Sequence, residues 1–159
     1  MRRFIYIILI FLSLLGIYAF AMKFVDESKT FRLEKTVNYP IDKVYPQFSN
    51  LQNYARWNDF FANNEGLYIN YFQPYEGVGS ALKYESEKGE KGELYIRYAN
   101  PERTIKYQLF QQNNENPFLI NLKFKAISPD KTLLIWDVIT PKQSYFKRQL
   151  NFFVENTFY

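Results

Sequence analysis

The chain has 159 residues, 47% of them hydrophobic and 20% aromatic, with 20 Lys plus Arg against 16 Asp plus Glu for a net charge of +4. This fits one domain with a short appendage and is too rich in large apolar side chains to stay unfolded. The absence of histidine and cysteine removes Ser-His-Asp and Cys-His catalysis, thiolate metal sites, most catalytic zinc sites and every disulfide. What remains is carboxylate, Tyr, Lys or Ser chemistry, or binding without chemistry, and the composition leans toward binding.

Phe4 to Met22 is an uncharged apolar run of 19 residues, enough at a rise of about 1.5 Å per residue to cross a hydrocarbon core about 30 Å thick. Arg2 and Arg3 precede it and only Lys23 follows closely. The positive-inside bias therefore keeps the N-terminus cytoplasmic and puts the rest outside the cytoplasm, in a single-pass topology. The competing reading is a secreted protein whose signal peptide is cleaved: Ala19-Phe20-Ala21 has the small-x-small form of a cleavage site, although the run exceeds the usual apolar length. The uncleaved anchor is favoured. The expected organisation is an anchor over 1–23, a linker over 24–30 and a folded domain over 31–159.

Phe31 to Val37 alternates with period two and predicts a half-buried strand. Pro40 suits the first position of a helix carrying Asp42 in its first turn and Val44 and Phe48 four apart, and Pro46 is expected to kink or shorten it. Asn50 is a capping residue for a second short helix ending near Trp57. From Gly66 onward, turn formers separate six strand-like segments: 67–72, 79–85, 93–99, 104–111, 117–127 and 132–140. Short links between successive strands predict an antiparallel meander. After Pro141, Phe146, Leu150, Phe153, Val154 and Phe158 repeat with helical spacing, so an amphipathic helix is expected to lie on the apolar face of the sheet. Nothing caps that helix before Tyr159, which leaves open a longer native product.

The fold class expected is thus α+β: a curved seven-stranded antiparallel sheet in the order β-α-α-β6-α, wrapped around a C-terminal helix and preceded by one transmembrane helix. Tyr39-Pro40-Ile41-Asp42-Lys43-Val44, Asn50-Leu51-Gln-Asn-Tyr-Ala-Arg-Trp57, Gly77-Val-Gly79 and Lys131-Thr132-Leu-Leu-Ile-Trp136 appear in that order. Together they resemble the SRPBCC superfamily, the START and birch-pollen-allergen-like helix-grip proteins often described as polyketide cyclase/dehydrase or lipid-transport proteins. The resemblance runs from Phe31 to the chain end. It implies a ligand cavity between sheet and helix; it is nearly silent on which ligand. Pro46 and Lys131 depart from the family pattern.

Alternation along the strands puts Tyr84, Tyr98, Tyr107, Leu109, Leu122, Phe124 and Trp136 toward that cavity, faced by Phe146, Leu150 and Phe153. Tyr and Trp suit a mostly apolar ligand because they join bulk to one polar tip. The same residues also suit a filled core, and the inward set of the last strand is uncertain by one register step because Leu133, Ile135 and Ile139 are apolar too. Trp57 either closes the cavity or anchors the short helices. Loops 58–65 and 113–116 are expected to gate entry.

Asp137, in an apolar strand, and Tyr107 are the weak candidates for acid–base work, and pairing of Asp137 with Arg97 or Lys106 is the blander alternative. Glu85, Glu87, Glu90 and Glu93 read as a solvated hairpin tip rather than a metal cluster. Gly77-Val-Gly79 lacks the following helix of a phosphate loop, and no dense basic run points to nucleic acid. No cofactor is expected. The partners expected are a hydrophobic small molecule or lipid and, through Phe4 to Met22, a membrane. The leading function is a membrane-anchored, non-catalytic carrier of such a molecule. The alternatives are a cyclase/dehydratase using Tyr84, Tyr107 or Asp137, and a sensing module coupled to a partner or to a further C-terminal region.

Overall fold

A computed structural model describes residues 2–24, 27–64, 66–112, 114 and 116–142. They divide into an N-terminal part up to Lys29 and a compact unit over Thr30–Pro141. The first contains α1 (Arg2–Ala21) and a 3₁₀ turn over Met22–Phe24. By length and composition alone, Arg3–Ala21 is able to cross a membrane, a property that a signal sequence shares. The expected amphipathic helix after Pro141, with Phe146, Leu150 and Phe153, lies outside the described residues.

The second unit is α+β. Its strands are β1 (Thr30–Val37), β2 (Leu67–Phe72), β3 (Ala81–Ser86), β4 (Lys91–Asn100), β5 (Thr104–Gln111), β6 (Phe118–Ser128) and β7 (Lys131–Ile139). They form one antiparallel sheet in the order β1-β7-β6-β5-β4-β3-β2, so the meander runs from β2 to β7 and β1 adds itself at the far edge, beside β7. Three short helices, α2 (Ile41–Ser49), α3 (Leu51–Trp57) and α4 (Asp59–Ala62), fill the connection from β1 to β2.

The inner face is set by strand alternation. Leu82 and Tyr84, Leu94 and Ile96, Ile105 and Tyr107, Leu122 and Phe124, and Leu134 are all buried, and Val44, Tyr45 and Phe48 of α2 and Leu51 of α3 pack on them. Burial of each such side chain is worth about 1.5–3 kcal/mol. The two-faced β7 resolves in favour of Thr132, Leu134 and Trp136 inward: Thr132 and Leu134 are buried, and Leu33, Leu122 and Phe124 are their cross-strand company.

One inward assignment is overturned. Tyr98 is 45% exposed on the outer face, with the Lys106 ammonium 5.3 Å from its ring centre. The pairing of β4 with β5 slips between Ile96 and Tyr98, so Ile96 faces Tyr107 while Tyr98 pairs with Lys106 and Ala99 with Ile105. A bulge of this kind adds one residue and reverses the facing of everything beyond it. Arg97, the extra residue, lies over the Tyr95 ring and donates from Nε to Gln108 at 2.9 Å.

α2 continues past Pro46 for nine residues in all, so the proline does not shorten it to a single turn, and Pro40 is its N-cap rather than its first residue. Proline costs this helix the amide that would reach the carbonyl four residues back. What keeps the last turn intact is that all four of its end carbonyls find donors. Pro46 accepts from the Asn50 amide at 3.3 Å, Gln47 from Trp57 Nε1 at 3.0 Å, Phe48 from the Tyr107 hydroxyl at 2.8 Å and Ser49 from the Gly77 amide at 2.9 Å. Asn50 caps α3 as expected, its Oδ1 accepting from the amides of Gln52 and Asn53. Asn58 caps α4, so the expected gating loop contains a helical turn.

Gly77 and Gly79 have φ of +74° and +92°, a left-handed backbone that side chains with a Cβ resist. Their amides bond Ser49 and Ile96, tying the turn before β3 to α2 and β4. The G-x-G element is therefore a structural joint.

Candidate functional site

Between α2–α3 and the β1–β7 end of the sheet lies a groove of about 660 Å³, within the range of small-molecule sites. Its sheet wall is Val37 of β1 with Leu134 and Trp136 of β7; its helix wall is Val44 and Phe48 of α2 with Trp57 of α3. Both tryptophans of the chain line it. Lys35, Tyr39, Lys43 and Gln47 supply the polar part of the lining.

Phe48 is the floor. Its ring stands edge-on to Trp57 at 4.7 Å, to Phe124 at 5.5 Å and to Trp136 at 5.9 Å between centres, each contact adding to area burial. Trp57 is 43% exposed and held by its bond to the Gln47 carbonyl, so it both anchors the short helices and forms a wall. Tyr39 is fixed through its backbone, whose carbonyl accepts from Thr132 Oγ1 at 2.8 Å. These bonds give the groove a preformed shape.

The groove does not coincide with the cavity expected from strand alternation. Trp136 is shared by both. Tyr84, Tyr107, Leu122 and Phe124 are buried in packed core instead. Leu109 is half-buried against the core margin and Tyr98 is on the outer face. Tyr84 sits under Phe60 and Phe61, with ring centres 5.1 and 5.6 Å away, and lies so close over Gly92 that a Cβ there would collide with it and with the Phe110 carbonyl at 2.7 Å. Rings from the short helices thus cover Tyr84, and that of Phe48 meets Phe124. Among residues not assigned to the site from sequence, Lys35 and Gln47 carried no apolar signal at all; Val37, Val44 and Phe48 were legible only as packing positions.

Tyr107 is buried, and burial drives its hydroxyl well above the usual tyrosine range. Its hydrogen is committed to the Phe48 carbonyl. Tyr54, its neighbour at 5.9 Å, is pushed up to about 12 by the same cause. Both hydroxyls therefore stay protonated near neutral pH, so neither supplies a phenolate base there.

Asp137 lies on the outer face, away from the groove. Arg32 grips it with Nε at 2.6 Å and Nη2 at 3.1 Å, and Lys123 approaches to 3.4 Å. The Arg32 hydrogen bond holds this carboxyl below the usual carboxylate range, the reverse of the raised value an acid–base role requires. Its partners are thus Arg32 and Lys123, not Arg97 or Lys106.

A pH dependence follows. A depressed carboxyl contributes stability that is full above its unfolded value of about 4 and is lost as pH falls through the lower folded value. Asp137→Asn is expected to lower the melting temperature at pH 6, with the gap to the unaltered chain closing by pH 2. Thermal melts across that range check this, and a gap that persists in acid contradicts it.

At the β3–β4 hairpin, Glu85 pairs with Lys91 and Glu93 with Lys83, each at 2.5 Å. These are ion pairs of a solvated tip. Among the described residues no group of three metal-ligating side chains converges.

No known protein family and no curated protein matches this chain. Solved structures do. A Staphylococcus epidermidis protein studied by NMR matches with a TM-score of 0.55 at 12% identity over 80% of either chain. Ara h 8.0201 matches with 0.54 at 14% identity, over 74% of this chain and 79% of its own. DynU16, a protein of the dynemicin biosynthetic locus, matches with 0.52 at 12% identity over 79% of this chain but 41% of its own length. The sheet and its helices are of the helix-grip kind. At these identities the likeness is one of fold alone, and function has to come from the site.

Proposed function

We propose that the 31–159 domain binds a hydrophobic small molecule or lipid in the groove between α2–α3 and the β1–β7 edge, without transforming it. In this reading residues 1–23 anchor the chain in a membrane, with the N-terminus cytoplasmic and the domain on the other side, where a bilayer supplies such ligands. The observation that carries the proposal is the groove itself: about 660 Å³, walled by Phe48, Trp57, Leu134 and Trp136, and shaped by hydrogen bonds that leave its apolar surface open. Helix-grip neighbours such as Ara h 8.0201 and DynU16 lend the fold. A cyclase-type reaction needs an acid or base at the ligand. The hydroxyl of Tyr107 is engaged by Phe48 and the carboxylate of Asp137 by Arg32, which favours binding over chemistry.

The test is native mass spectrometry and lipid extraction of the full chain purified from membranes. An apolar molecule is expected to copurify. Trp136→Ala, which removes one wall worth about 1.5–3 kcal/mol of burial, is expected to weaken binding about tenfold or more. Recovery of no ligand, with no thermal shift from a panel of fatty acids and sterols, would overturn the reading.

A further inference from the structure

Among the described residues that line the groove, the charged ones have one sign: Lys35 and Lys43 are there, and no carboxylate is. Lys35 comes from the inner face of β1, opposite Leu134, and Lys43 from the first turn of α2, so one lysine belongs to the sheet wall and the other to the helix wall. Among the described residues Lys35 makes no ion pair, while Lys43 meets only Asp42, at 3.8 Å and in solvent. A pair that exposed neutralises little. Beyond Lys35 the same face of β1 continues in Leu33 and Phe31, 64% and 57% exposed, beside Trp136 and Val138. Apolar surface therefore runs on from the groove past the lysine.

We propose that the ligand of this groove is a single-chain carboxylate amphiphile of the fatty-acid type, its carboxylate held between Lys35 and Lys43 and its chain laid on Phe48, Trp57 and Trp136. This rests on the reading of the groove as a binding site and names the ligand class it selects. A sterol or other neutral apolar molecule leaves both ammonium groups without a partner. Arginine forks and free helix N-terminal amides hold a phosphate headgroup by several directed hydrogen bonds, whereas lysine meets it as a point charge alone. Among the described residues the groove lining holds no arginine, and the amides of Lys43 and Val44, the two α2 first-turn residues that line it, are both spent on the Pro40 carbonyl, at 3.0 and 3.1 Å. Two lysine point charges suit one carboxylate.

The experiment compares laurate with dodecanol on the full chain in discs of zwitterionic lipid, following tryptophan emission and correcting free concentrations against empty discs. Laurate is expected to bind on the order of tenfold tighter than dodecanol at low ionic strength, with the ratio shrinking in high salt. The double variant Lys35→Gln, Lys43→Gln is expected to bring the ratio to about one, and Lys35→Arg, Lys43→Arg to keep it above that. Equal binding of laurate and dodecanol by the unaltered chain overturns the proposal while leaving the apolar-ligand reading in place. So does a preference that survives in the glutamine variant. Failure of both molecules to bind overturns the two together.

Discussion

Truncating Phe48 to alanine is expected to destabilise the Thr30–Pro141 unit by about 3–5 kcal/mol. Phe48 is 5% exposed, and its ring meets Tyr54, Trp57, Phe124 and Trp136 at once. The side chain therefore joins the helix pair to the sheet and supports both tryptophan walls of the groove. Removing it leaves a cavity that the fixed neighbours fill poorly, because Trp57 is tied to Gln47 and Phe124 is itself packed on Tyr45. A fall in melting temperature of roughly ten degrees or more is the measurable result. Ligand binding should fall as well, since the groove loses its floor. A melting point within a few degrees of the unaltered chain would show that the ring does not join the helices to the sheet.

The second large effect is expected at Tyr107. Replacement by phenylalanine keeps the ring in the core and deletes only the hydroxyl that donates to Phe48. That carbonyl belongs to the end of α2, where no intrahelical donor remains, and the site is too buried for water to substitute. Leaving a buried acceptor unmet costs about 1–3 kcal/mol. The direction distinguishes the structural role from a catalytic one: Tyr107→Phe lowers stability if the hydroxyl braces the helix end, and leaves stability intact if the hydroxyl waits for a substrate. Urea unfolding of the full chain, monitored by tryptophan emission, reads the difference.

Much of this architecture was legible in the residues. Alternation and β-rich content located all seven strands to within about two residues, but β1, expected to be half-buried, has seven of its eight residues exposed. Asn50 announced the start of α3 through its short acceptor side chain, and the apolar span over Phe4 to Met22 was evident from the absence of charge. Where reading failed, the reasons are tertiary. The slip at Arg97 has no glycine to advertise it; it is held by stacking on Tyr95 and a bond to Gln108, partners 2 and 11 residues away. Pro46 survives inside α2 because Trp57, Tyr107 and Gly77 serve the carbonyls of its last turn, and no local pattern reveals those donors.

The site was the least legible part. Strand alternation correctly placed Leu122, Phe124, Tyr107 and Tyr84 on the inner face, but it does not say which inner positions the helices will cover. Phe48 covers Phe124, Tyr54 meets Tyr107, and Phe60 and Phe61 cover Tyr84, while the groove lies at Val37, Leu134 and Trp136. Lys35 interrupts the apolar face of β1, and in sequence it reads as an ordinary solvated lysine. Only its placement opposite Leu134, at a groove that Lys43 also lines, sets it apart from the other lysines of the surface.

Because Trp57 and Trp136 are the only tryptophans in the chain and both line the groove, quenching of their emission by a bromine-labelled fatty acid measures occupancy of that one place. With the full chain and its Trp57→Phe and Trp136→Phe variants, saturable quenching of each remaining tryptophan is the predicted result. Emission that stays unquenched in both variants while the labelled acid binds would put the ligand elsewhere and contradict the account.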